Sequence, residues 1–458
     1  MDYSIIRKYQ KEILADLSVL VSIPSVAGER ESDYPFGKQA ALALDFVLDR
    51  AKTMGFAVRN VDYAAGYAQY GDAEDGRYAG VLTHVDVVPA GDGWNTPPFE
   101  MTIGEDGRIY GRGVADDKGA AIVALYCMKA LADEGITGNR ALRCIFGSGE
   151  EIGMEDMEVF FRSEPLPEMA FTPDSGYTVC NREKGIMHII LKANAPGDSP
   201  ISQLDAGTAI NCVAEKAAVT IACTDAQAEA MVAAINETCS DTAAEQLENT
   251  VRISTVGRSA HAMRPEAGIN AAAAVIRAAV ENVGGDEALA SLVKLVCSDI
   301  DGTGLGVAQS DEPSGQLTMN LGHFHLSGGV YLAGIDIRYP VTANGGEIIE
   351  TIRKTVENMG WTVDSYSDTA PIYMSEEEPL IRALCECYEE VTGKPAVVYS
   401  TGGGTYARSL GGRGIAFGME FPDSQPTHLH EANESFDAEE LMQHAEICLA
   451  AMYRMMTM

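Results

Sequence analysis

Hydrophobic positions along the chain switch between two periods. Over residues 3–20 they fall at Ile5, Ile6, Ile13, Leu14, Leu17 and Leu20, a helical spacing that stops near Ser22-Ile-Pro24. A second helix is predicted over residues 36–54, then strands over 57–63 and 67–70. Residues 81–89 form an apolar, β-branched run closed by Pro89, the pattern of a short buried strand. Inside it sit His84 and Asp86, two apart, which strand alternation puts on one side. Residues 91–99 are turn-rich, and residues 101–110 alternate about an Asp106-Gly107 hairpin signal. An Ala- and Leu-rich helix follows over 119–132. Buried strands follow over 141–146, running into Gly147-Ser-Gly-Glu150-Glu151, and over Met169–Thr172, ending at Pro173-Asp174. Alternating helix and strand with acids at strand ends predicts an α/β sheet whose site lies at those ends.

The texture then changes. Strands are predicted over 185–193, 217–222 and 251–255, helices over 226–235 and 269–283, and a strand over Val330–Tyr339. In the last, Ile335 and Ile337 share one face, Asp336 and Arg338 the other. From about residue 375 the first texture returns, with helices over 380–392 and 438–455 and strands over 396–399 and 414–418. The expectation is a discontinuous domain of residues 1–183 and 375–458, with a second domain, 184–374, inserted into it.

Charge narrows the function. With 67 acidic against 33 basic residues, the net charge of −34 repels phosphate, so nucleic acid and anionic membranes are not expected partners. No apolar run approaches the ~20 residues of a membrane span, and the N-terminus lacks the basic start and apolar centre of a signal peptide. Ten scattered cysteines without a Cys-x-x-Cys fit reduced thiols, and a cytoplasmic location is expected.

The candidate chemistry lies in polar residues at strand ends and glycine-rich turns: His84, Asp86, Asp116, Asp117, Glu150, Glu151, Asp174 and His430. Histidines with carboxylates suit zinc. Five ligands, one of them bridging, can hold two ions about 3.5–4 Å apart, and a nearby carboxylate can take a proton from water. Taken singly, each acid in so acidic a chain reads as a solvated charge, and Asp116-Asp117 as a turn or helix cap. Gly111-Arg-Gly-Val fits neither a P-loop nor a dinucleotide fingerprint.

In combination these residues resemble the co-catalytic zinc metallopeptidase family of acetylornithine deacetylase, succinyl-diaminopimelate desuccinylase and carboxypeptidase G, and within it the PepV-like dipeptidases. The matching blocks are His84-Val-Asp86-Val-Val-Pro89 with Gly93-Trp94, Gly111-Arg-Gly-Val-Ala-Asp116-Asp117-Lys118-Gly119, Glu150-Glu151, Thr172-Pro-Asp174, Ser259-Ala-His261, Asp336-Ile-Arg338-Tyr-Pro340, Ser400-Thr-Gly-Gly-Gly-Thr405-Tyr-Ala-Arg408 and His430-Glu-Ala-Asn-Glu434. They run in family order over almost the whole chain.

The resemblance implies a mixed-sheet catalytic domain with helices on both faces and an inserted α+β lid. It implies two zinc ions, with cobalt or manganese as substitutes. His84 and Asp174 would hold one, Glu151 and His430 the other, and Asp116 would bridge. Asp86 would stand behind His84, and Glu150 would be general base and then proton donor to the leaving amine. The Asp116–Asp117 peptide would be cis. From the lid, His261 would stabilise the oxyanion, Asn211 and Arg338 would bind the substrate's terminal carboxylate, and Gly403 would lie near that end. The motif register favours His430 over His428; His188, His323, His325 and His444 match no motif and read as structural. Gly149 stands where relatives often carry an acid, and Ile152 replaces a common small hydroxyl residue.

The implied activity is zinc-dependent hydrolysis of dipeptides, the alternative being an N-acyl-amino-acid amidohydrolase or deacetylase with the same site. An insert of about 190 residues is long enough to supply its own histidine, so a monomer acting on small peptides is expected.

Overall fold

The computed structural model describes residues 1–72, 77–238, 242–283 and 286–458. The chain falls into two compact units. One comprises Met1–Asn181, Tyr373–Tyr399 and Gly404–Met458; the other comprises Arg182–Ile372 and Ser400–Gly403.

The first unit is built on a mixed sheet. Its strands run in the order Ala57–Val61, Ala65–Tyr70, Ala141–Gly147, Tyr78–His84, Met169–Thr172, Gly414–Ala416 and Val179–Glu183. The middle strands are parallel and the outer pairs antiparallel. Register aligns His84 with Gly147, and Val81 with Phe171. Three neighbouring strands therefore end together, delivering His84, the Glu150-Glu151 turn and Asp174 to one edge.

The centre of this unit's core is the helix Lys118–Asp133. It is an Ala- and Leu-rich sequence with only Ile122 and Val123 β-branched, buried almost all round. Its first residue, Lys118, is buried and its ammonium donates to the carbonyls of Leu20 and Ile23 at 3.0 and 2.8 Å. The last helix, Ala438–Thr457, begins where the Asp437 carboxylate accepts the amides of Glu439 and Glu440. Where the chain leaves this unit and re-enters it, the two segments are tied: Met374 N donates to Asn181 O at 3.0 Å, and Asn181 Nδ2 to Met374 O at 2.6 Å.

The second unit is an antiparallel sheet in the order Thr242–Leu247, Thr250–Val256, Lys216–Ala222, Ile201–Ala206, Thr318–Ser327, Val330–Tyr339, Gly185–Asn194 and Thr362–Thr369. Helices Asp225–Thr238, Ala271–Val283 and Gly345–Glu357 pack on its strands, and the core includes buried Trp361, whose indole N–H reaches Ala288 O and Ser291 Oγ. Among the described residues, no helix is long and apolar enough to cross a membrane.

One local expectation needs correction. The strand carrying His84 ends at His84 and does not run on to Pro89. Beyond His84 the amide of Val87 bonds to Ser25 O rather than to a neighbouring strand. Strand alternation thus does not place Asp86, although its carboxylate still comes to 3.4 Å from His84 Nδ1.

Candidate functional site

The strand ends of the first unit gather the predicted ligands. His84 Nε2 lies 2.9 Å from Asp116 Oδ1 and 3.9 Å from Asp174 Oδ2. His430 Nε2 lies 3.0 Å from the other Asp116 oxygen and 3.2 Å from Glu151 Oε2. Asp116 therefore presents one oxygen to each imidazole, as a bridging carboxylate must. Two donor groups, His84–Glu150–Asp174 and His84–Asp116–Glu151, each have ligand atoms within 4.8 Å of one another. His428 points elsewhere, with Nδ1 at 3.2 Å from Glu431.

Electrostatics test whether cations fit. Burial pushes the Asp174 carboxyl up to about 8, and the Asp116 charge adds to it. Burial and the Asp174 charge push Glu150 well above the usual range, and burial and Asp116 raise Glu151. Burial alone would depress His84, but its bonds to Asp116 and Asp86 hold it well above an ordinary imidazole. Hydrogen bonds to Asp116 and Glu151 take His430 up to about 11. Burial would raise Asp116 too, but its bonds to His430 and His84 hold it below the usual range; a pocket that raises its other three acids and both imidazoles is short of positive charge. Divalent cations on this O- and N-donor set answer that demand.

Supporting bonds hold His84 and the Glu150-Glu151 turn. His84 Nδ1 bonds to the Asp86 backbone carbonyl at 3.0 Å, leaving Nε2 toward Asp116. The Asp86 carboxylate accepts the amides of Glu150 and Glu151 at 3.2 and 3.1 Å, so it positions the whole acidic turn. The Asp117 carboxylate accepts the His84 amide, and the Asp116–Asp117 peptide is cis.

Two further supports were not singled out from sequence. Asp156 accepts the amides of Ser148 and Gly149, both at 2.9 Å, from below the Glu150 turn. Glu434 is buried and accepts the amides of Gly113, Ala115 and Asp116 at 2.9–3.2 Å while Arg112 Nη1 donates to it at 2.7 Å. Glu434 was visible inside the His430 block, but nothing in a linear pattern says that its side chain holds a loop some 320 residues away. The glycine at 149 has a steric reason: a Cβ there would meet the Phe36 ring at 2.8 Å.

The second unit brings its own candidates together. Val213 N donates to Ala260 O at 2.8 Å, and Ala262 N to Asn211 O at 2.9 Å, so the Asn211 and His261 segments run as a bridged pair. Met263 N donates to His261 Nδ1 at 3.1 Å. An accepting Nδ1 puts the proton of the neutral ring on Nε2, making that nitrogen a donor. Arg338 forks onto Asp336 at 2.7 and 2.6 Å, and its Nη1 donates to Gly402 O at 2.8 Å. Gly403 N bonds to Thr401 Oγ1 at 3.0 Å. A Cβ at Gly402 would strike Met263 Cβ at 2.8 Å, so the glycine permits that approach.

Comparison with known proteins bears on this geometry. The model of "Peptidase family M20/M25/M40" matches residues 80–454. YtjP of Bacillus subtilis (strain 168) is 32% identical over 470 residues, covering 99% of both chains. A Beta-Ala-Xaa dipeptidase of Lactobacillus delbrueckii subsp. lactis is 32% identical over 457 residues, covering 97% of this chain and 96% of that one. Among solved structures, the dipeptidase Dug1p of Saccharomyces cerevisiae superposes with a TM-score of 0.62 at 15% identity, covering 99% of each chain. Human carnosine dipeptidase 1 gives 0.61 at 14%, covering 99% of this chain and 98% of that one. These two likenesses establish the fold. A family match over most of the chain, on a fold that carries a His/Asp/Glu cluster able to hold metal, identifies the chain as a member of peptidase family M20/M25/M40, a hydrolase of peptide bonds.

Proposed function

We propose that the chain is a zinc-dependent dipeptidase. The observation that carries the reading is the Asp116 carboxylate, one oxygen toward His84 and one toward His430, with Glu150 grouped with His84 and Asp174 beside it. His84 and Asp174 would hold one ion, Glu151 and His430 the other, with Asp116 shared. Bound there, two divalent cations supply polarisation of the scissile carbonyl and acidify a water.

The chain's own residues do the rest. Glu150 takes the water proton, suited to this by a burial that raises its proton affinity. It then passes the proton to the leaving amine. Asp86 keeps Glu150 and Glu151 on their separate tasks by holding both amides. The His261 Nε2–H donates to the oxygen that gains charge in the tetrahedral state. Arg338 and Asn211 take the terminal carboxylate, Arg338 by a two-pronged contact, with Gly403 at the same end. The 32% likeness to a Beta-Ala-Xaa dipeptidase supports a short peptide with a free amine.

The test is a small panel of dipeptides, free and N-acetylated, offered to metal-stripped protein with and without added zinc. Zinc-restored cleavage of the free dipeptides alone is the expected result. Cleavage of the acetylated compounds instead would move the enzyme to the acyl-amino-acid amidohydrolases.

A further inference from the structure

Arg338 is 4% exposed and Asp336 fully buried, so the guanidinium is held rather than free to search. A guanidinium has five N–H bonds in a rigid fork. Nε and Nη2 donate to the two oxygens of Asp336, and Nη1 donates to Gly402 O. One N–H on each terminal nitrogen is left over. Two donors on adjacent terminal nitrogens suit a carboxylate.

Asp336 is itself held. His188 lies directly across from it on the neighbouring strand, with Nε2 3.0 Å from Asp336 Oδ2. Asn320 lies across from it on the other side. Asn320 donates to the Cys212 carbonyl at 2.9 Å, next to Asn211. One polar row across three strands, Asn320–Asp336–His188, thus underlies both the Asn211 segment and Arg338. Burial alone would raise the Asp336 carboxyl, but its bonds to His188 and Arg338 bring it below the usual range, as expected of a permanently charged anchor.

We infer that Asp336 and His188 are positioning residues for substrate selection: by occupying one edge of Arg338 they leave its remaining N–H pair aimed at a terminal carboxylate. Without Asp336 the guanidinium has other low-energy placements. Without His188 the Asp336 oxygens lose one of the contacts that fix their plane. The inference rests on the carboxylate role proposed for Arg338 and deepens it.

The experiment compares a good dipeptide substrate with its C-terminal amide in zinc-loaded enzyme, reading kcat and KM separately. Arg338→Met is the control and should collapse the preference for the acid. Asp336→Asn should lower kcat/KM for the acid at least tenfold, mainly through KM, and change the amide little. His188→Leu should do the same by about threefold, and His188→Gln, which keeps a donor, should stay near wild type. If Asp336→Asn does not fold, the two His188 variants decide. Equal losses on acid and amide, or none, while Arg338→Met still collapses the preference, would overturn the positioning role. An unchanged preference in Arg338→Met would overturn the carboxylate role itself, and the inference with it.

Discussion

The roles proposed for Glu150 and Asp116 differ, and single substitutions separate them. Glu150→Ala should lower kcat by roughly two to four orders of magnitude, the worth of a positioned acid–base group, while zinc content stays at two per chain. Metal analysis beside a steady-state assay checks both halves; undiminished turnover would remove Glu150 from the reaction. Asp116→Asn should do the reverse in order of cause, losing metal first, because the His84 and His430 imidazoles meet on this one carboxylate. Two zinc ions retained after dialysis would contradict its bridging place. At this scale the linear sequence was informative wherever chemistry follows residue type in a block, as at Glu150-Glu151 and Asp174. It was misleading about the route to Asp86, which comes to His84 from beyond the end of the strand rather than by strand alternation. It was silent on Glu434 and Asp156, whose roles lie in which distant amides they touch.

Elements bring those residues into register, and two of them lend themselves to measurement. The Gly111–Asp116 segment hangs on the buried Arg112–Glu434 pair. Glu434→Gln leaves the Arg112 charge uncompensated and should cost about 3–5 kcal/mol of stability, read by chemical denaturation; a loss under ~1 kcal/mol would mean that the pair holds nothing. On the Ala438–Thr457 helix, His444 is fully buried against the Tyr177 hydroxyl at 2.9 Å, and burial takes its pKa down to about 3. The unfolded imidazole titrates near 6.5, so between those values only the unfolded chain binds the proton. Stability is therefore complete above about 6.5 and falls as pH drops toward 3, by up to about 1.4 kcal/mol per pH unit. His444→Asn should flatten that component of the acid limb, and a slope identical to wild type would show that other groups set it. Helices with one apolar stripe, such as Pro379–Thr392, were plain in the sequence. The strand Thr362–Thr369 was not, because an edge strand exposed along most of its length has no alternation to read. The mid-sheet strand Thr318–Ser327 was hidden by the polar residues Asn320, His323 and His325 along it.

For the molecule as a whole, we propose a monomer whose long insert supplies its own histidine. Light scattering should give a mass near 48.8 kDa, and an inactive His261→Ala chain should not be rescued by mixing with an inactive Glu150→Ala chain; rescue would mean that subunits share sites. The texture of the sequence changes near residue 184 and returns near 375, while the compact units divide at Asn181/Arg182 and Ile372/Tyr373, with Ser400–Gly403 joining the second. The tie between Asn181 and Met374 was not legible there, being a contact between segments that are remote in sequence. The Glu434 clamp carries a last consequence, one of timing. His84, Asp116, Glu150, Glu151 and Asp174 all leave the ribosome early, yet the carboxylate that grips the amides of Gly113, Ala115 and Asp116 belongs to Glu434, far later in the chain and close in sequence to His430. A growing chain therefore carries these four acids long before it has the carboxylate that sets them, and the cradle takes its working form only after Glu434 has been made.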